Sequence, residues 1–177
     1  MADSNPVSPP TSASADLRTI AYHEAGHVVV GTRLGLDVLG TDVDRDGEGG
    51  RGHTHFASPG AWFQPRPGRL TTRERDFVER VVTTFMAGFA AEVRLGAADP
   101  EGSGYDVDLT LREWLGYLEP DPRRRPALAG GFFATAQSEL ARPEAWAAIA
   151  AVAEALLAER RFGGARAREL IAAAAAL

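Results

Sequence analysis

Leu17-Arg-Thr-Ile-Ala-Tyr-His23-Glu24-Ala-Gly26-His27-Val-Val-Val-Gly-Thr-Arg-Leu-Gly35 is the stretch from which the rest of the chain can be placed. Leu17, Ile20, Ala21, Val28 and Val29 recur at helical spacing, Ser14 or Asp16 can cap the start, and the helix should end near Gly35. Inside it lies an H-E-x-x-H motif, His23-Glu24-Ala25-Gly26-His27. Residues i and i+4 lie one above the other on a helix face. Two imidazoles placed so can reach one zinc ion, at about 2.0–2.1 Å each. Glu24, one step from His23, can lean over the water of such an ion and take its proton as it attacks a carbonyl. A helix-interior Gly costs about 1 kcal/mol relative to Ala, so Gly26 points to close approach by another element. The competing reading is a helix that holds two His and a Glu by chance, but two of only four His fall here at this spacing.

The remainder of the sequence narrows the chemistry. The 177 residues suit one domain with a sizeable core, with Met1 to about Ser14 as a Ser-, Pro- and Ala-rich disordered tail and 15–177 as the domain. A net charge of -5 makes nucleic acid and acidic membrane surfaces poor partners. There is no Cys, so any metal is held by His and carboxylates. No apolar run approaches the roughly 20 residues of a membrane helix, and the N-terminus has no secretory pattern. The expectation is a cytoplasmic protein without a membrane span.

Further along, Val38–Val43 and His53–Ala57 read as two short strands joined by a Gly- and Asp-rich turn over 44–52. Pro59–Gly68 is a loop with an exposed Trp62. Thr71 and Glu74 form a T-x-x-E capping box, starting a helix through Phe77, Val81, Val82, Phe85 and Phe89 that stops at Gly96. A Gly-rich loop leads to a helix from about Val107 to Leu118, broken by Glu119-Pro-Asp-Pro. Arg123–Arg142 reads as helix with a weak point at Gly130-Gly131. Pro143 opens a helix with Trp146, Ile149, Val152, Ala153 and Leu156 on one face, and Gly163-Gly164 separates a last helix. Phe132-Phe133 and the Trp146 stripe read as core. The fold class is α+β, predominantly α-helical: an H-E-x-x-H helix, a small sheet after it, and a C-terminal helical bundle.

Ala21-Tyr22-His23-Glu24-Ala25-Gly26-His27 resembles the active-site helix of FtsH-type zinc peptidases, the peptidase part of membrane-bound AAA proteases. Met86-Ala-Gly-Phe-Ala-Ala-Glu92-Val-Arg-Leu-Gly96 is similar to that family's G-G-R-x-A-E-E segment, and Gly52-His-Thr-His-Phe56 falls where the family has a G-x-T strand near the substrate. Leu156-Leu157 through Phe162-Gly163 to Glu169-Leu170 is similar to its closing pattern. The resemblance covers Leu17 to Leu118, and Pro143 to Ile171 more loosely.

It implies a zinc metalloendopeptidase in which His23 and His27 bind Zn2+, Glu24 is the general base, and a later Asp is the third ligand. Two residues compete for that place, Asp106 and Asp108. Residues two apart on a helix point about 200° from each other, so one ion takes one of them. An ungapped count from Glu92 puts Asp108 on the family's Asp and Asp106 on its capping Ser, which favours Asp108. Glu92 matches a family glutamate near the metal, either orienting a ligand His or simply packing. His53 and His55 share a strand face and are not counted as ligands. Full-length members carry an ATPase; this chain has no G-x-x-x-x-G-K-[ST] loop. The implied substrate is therefore unfolded or flexible polypeptide, cut without ATP or beside a separate AAA ATPase partner. The alternative is an inactive zinc-binding interaction module of the same fold. The sequence does not give an oligomeric state.

Overall fold

The computed structural model describes residues 12–44, 51–97 and 110–176. Asp106, Asp108, most of the predicted 44–52 turn and most of the 1–14 tail lie outside the described residues. In chain order the elements are α1 (Ser12–Arg33), β1 (Val38–Asp44), β2 (Arg51–Phe56), α2 (Thr72–Leu95), a π-helical turn (Thr110–Trp114) running into α3 (Leu115–Leu118), α4 (Arg125–Ala141), α5 (Pro143–Glu159), β3 (Arg161–Gly163) and α6 (Gly164–Ala174). The molecule is α+β and predominantly helical, with a small antiparallel sheet. No described helix is long and apolar enough to cross a membrane.

α1 is the central element. From Ala21 to Gly31 every residue is buried, because neighbours cover it all round: α2 and α5 pack against it, and β1 and β2 lie across it. Its crossing with α2 is close. A Cβ at Gly26 would stand 2.6 Å from the carbonyl oxygen of Ala87, which is the approach that a mid-helix glycine anticipates. One cluster of buried side chains runs from Ala21 and Val28 in α1 through Val78 and Val82 in α2 to Leu140, Ile149 and Leu156.

α2 begins as its capping box prescribes. The Thr71 hydroxyl accepts from the Glu74 N–H, and the Glu74 carboxylate accepts from the Thr71 N–H at 2.9 Å. Thr71, through its N–H first and its hydroxyl second, holds the Glu74 carboxyl below its ordinary range. Gly96, in the left-handed region at φ 75°, ends the helix.

Several elements differ from the sequence expectation. α1 starts at Ser12, so Ser14 and Asp16 lie inside its first turns and do not cap it; Ala13 and Ala15 favour extending the helix back. The segment before α3 begins as a π-helical turn. α4 runs unbroken through Gly130 and Gly131, since two glycines lower helix propensity without forbidding helical angles. Trp62 is half-buried rather than exposed: its ring lies 5.5 Å from Phe77 and 5.7 Å from Phe63, and the Arg73 guanidinium sits 4.0 Å above it. Phe132 and Phe133 are half-buried at the rim of the core.

The third strand was the least expected element. β3 pairs antiparallel with β1, Thr41 facing Phe162, so that the sheet order is β2-β1-β3. Gly164 then butts against the carbonyl of Val38, where a Cβ would overlap it. The Gly-Gly pair therefore joins strand to helix at a place too tight for a side chain.

Candidate metal centre

α1 points His23 and His27 at α2 and turns Glu24 toward β2. The two imidazoles are buried, 8 % and 4 % exposed, with ring centroids 4.6 Å apart and nearly perpendicular. Each has its Nδ1 committed. His23 Nδ1–H donates to Glu92 Oε1 at 2.6 Å, and His27 Nδ1–H donates to the Thr84 carbonyl at 2.8 Å. A carbonyl only accepts, so His27 carries its proton on Nδ1, and His23 does the same opposite an ionised Glu92. In a neutral imidazole the other nitrogen then carries a lone pair. The two Nε2 atoms face each other at 2.9 Å.

At that separation a ring carrying a second proton donates Nε2–H to the other, whereas two lone pairs with no proton between them repel, the more so when buried. A cation shared between them relieves that repulsion. For a metal with bonds of about 2.0–2.1 Å, tetrahedral ligand atoms lie roughly 3.3 Å apart, a few tenths of an ångström from the distance seen. The donor set thus fits a zinc ion, with Glu92 and Thr84 fixing tautomer and ring orientation, as carboxylates and carbonyls do for ligand histidines. Glu92 is itself only 5 % exposed; of the two readings open for it, the contact with His23 is the one found.

Space for the pair comes from α2. A Cβ at Gly88 would stand 2.5 Å from His27 Cε1 and 2.7 Å from both Nε2 atoms. Gly88 and Glu92 are one helical turn apart on the same face of α2, so one residue clears the imidazole tips and the other orients a ring. The resemblance of the Met86–Gly96 segment to the family's drew attention to Glu92 and none to Gly88.

Glu24, 5 % exposed, lies on the sheet side. Its Oε2 accepts from Thr54 Oγ1 at 2.7 Å. Thr54 has a single hydroxyl proton, so at the 3.1 Å contact between Thr41 Oγ1 and Thr54 Oγ1 the donor is Thr41. A Cβ at Gly52 would fall 2.6 Å from Glu24 Oε1. β2, at the edge of the sheet among the described residues, therefore presents a bare backbone and one hydroxyl to the carboxylate. Thr54 belongs to the G-x-T stretch, but its bond to Glu24 depends on strand register and was not legible beforehand.

His53 and His55 stand apart on the outward face of β2. No trio of described His, Asp or Glu side chains already stands at coordination distance, and the two aspartates proposed to complete the centre are not among the described residues. Compared with known proteins, the chain matches no family model and no curated sequence, and the reading of the site rests on its residues and their geometry.

Proposed function

We propose that the chain is a zinc-dependent metalloendopeptidase domain of the FtsH type that cuts unfolded or flexible polypeptides. The observation that carries this is the buried pair of imidazoles with both Nδ1 atoms committed and both Nε2 atoms convergent, one residue from a buried carboxylate. His23, His27 and one aspartate, Asp108 in preference to Asp106, would hold the ion. Zinc at such a site supplies Lewis-acid activation of water and of a carbonyl.

The chain's own residues supply the rest. Glu24 accepts a proton from the attacking water and returns it to the leaving amine. Thr54 and Gly52 keep its carboxylate against β2. The edge of β2 away from β1 pairs with no strand among the described residues, so an extended peptide can add there beside Glu24. A cytoplasmic location and a separate AAA ATPase that feeds unfolded substrate belong to the same proposal.

The test is cleavage of casein with and without chelator, beside Glu24→Gln. Chelation should stop cleavage and zinc restore it. Glu24→Gln should keep the metal and lose turnover, because the amide cannot accept the proton. A variant that keeps full activity would refute the mechanism; a wild type that binds zinc and cuts nothing would leave the inactive binding module.

A further inference from the structure

Alternation along a strand turns residues 53 and 55 away from α1 when 52 and 54 face Glu24. On that outer face β1 adds Asp42, opposite His53 in register. The Asp42 carboxylate is within ion-pair distance of both rings, with Oδ1 3.9 Å from His53 Nδ1 and Oδ2 3.7 Å from His55 Nε2. The rings are within 16° of parallel, with centroids 6.2 Å apart. Both histidine side chains are more than half exposed, 61 % and 62 %, while Asp42 is held to 26 %.

We propose that Asp42, His53 and His55 form a second site for a divalent transition metal, zinc in particular, on the outer face of the sheet. Two imidazoles and one carboxylate match the preference of zinc, whereas magnesium and calcium demand all-oxygen shells. As they stand the three do not form a metal-holding group: the nitrogens lie 3.9 and 3.7 Å from different oxygens of Asp42 and the ring centroids are 6.2 Å apart, against a ligand spacing of roughly 3.3 Å for bonds of about 2.0–2.1 Å. What remains is for the two rings to close over the carboxylate, and their exposure leaves the rotamers free to do so. Register places Asp42 opposite His53, and the strand period places His55 on the same face. Arg161 faces Asp42 from the other side of β1. Its cation on the same row opposes a dication, so this site is weaker than the buried one.

The site does not depend on the peptidase reading, and one experiment separates the two. The full chain, freed of metal, is titrated with zinc by calorimetry while histidine ring resonances report which imidazoles respond; magnesium serves as control. Wild type should take two equivalents, the weaker one moving the His53 and His55 resonances. The His53→Ala/His55→Ala variant should lose that equivalent alone, and Asp42→Asn should weaken it. His23→Ala/His27→Ala should lose the tighter equivalent and keep the weaker. A single equivalent, retained by His53→Ala/His55→Ala and lost by His23→Ala/His27→Ala, overturns the outer site and leaves the buried centre standing. A single equivalent with the opposite behaviour supports the outer site and overturns the buried one. A second equivalent undiminished in His53→Ala/His55→Ala also overturns the proposal. Because both substituted side chains are largely exposed, the variants should keep the wild-type circular dichroism.

Discussion

His23, Glu24 and His27 were legible as residues because their chemistry lies in a five-residue pattern that any helix brings together. Gly88 was not, since its part is to be absent beside two rings carried by another helix. This gives a sharp expectation. Gly88→Ala puts a methyl against both Nε2 atoms, so it should abolish or severely weaken zinc binding while α2, gaining a better helix former, stays folded. Zinc titration beside circular dichroism checks both halves. The third ligand is decided the same way. Asp108→Asn should weaken zinc binding sharply, whereas Asp106→Asn should cost little because Asn caps a helix about as well as Asp. The reverse order would assign the ligand to Asp106. Release of the metal only by Glu92→Gln would make Glu92 a ligand rather than the partner of His23.

At the scale of elements, what was local was readable. The capping box at Thr71, the stop at Gly96, the proline start of α5 and the first two strands all rest on a few neighbouring residues. What was misread depended on distant partners or on how much a weak residue matters. β3 is three residues long and exists because β1 offers it an edge; its sequence has no alternation to detect. The helix expected at α4 is present, without the weak point expected at Gly130-Gly131. Their Cβ positions meet nothing within 4 Å, and neither has the left-handed φ that only glycine tolerates well. Gly130→Ala and Gly131→Ala should therefore each stabilise the protein, by about 1 kcal/mol at most. Chemical denaturation reads the gain as a higher midpoint at unchanged slope; a loss at either position would overturn this expectation.

For the whole molecule, the helical class and the single small sheet followed from composition and periodicity, whereas the central place of α1 did not. Its buried middle is lined with His, Glu and Gly as well as Ala and Val, so a hydrophobic count undervalues it. On the proposed function, a centre buried in that way would work on chains that can reach it. The purified protein should digest a denatured substrate and spare the same substrate in its stable folded form, with nucleotide making no difference, because the sequence has no phosphate loop. Faster digestion of the folded form on adding ATP to the chain alone would contradict this. The pairing of β1 with β3 carries one more consequence. It joins strands about 120 residues apart, and β1 is also the strand that holds β2 against Glu24. During synthesis from the N-terminus the H-E-x-x-H helix leaves the ribosome long before its sheet can close. On the proposed function, a nascent chain would carry the site residues without the complete frame around them, and the capacity to cut would arrive late in translation, after the strand that completes the sheet has emerged.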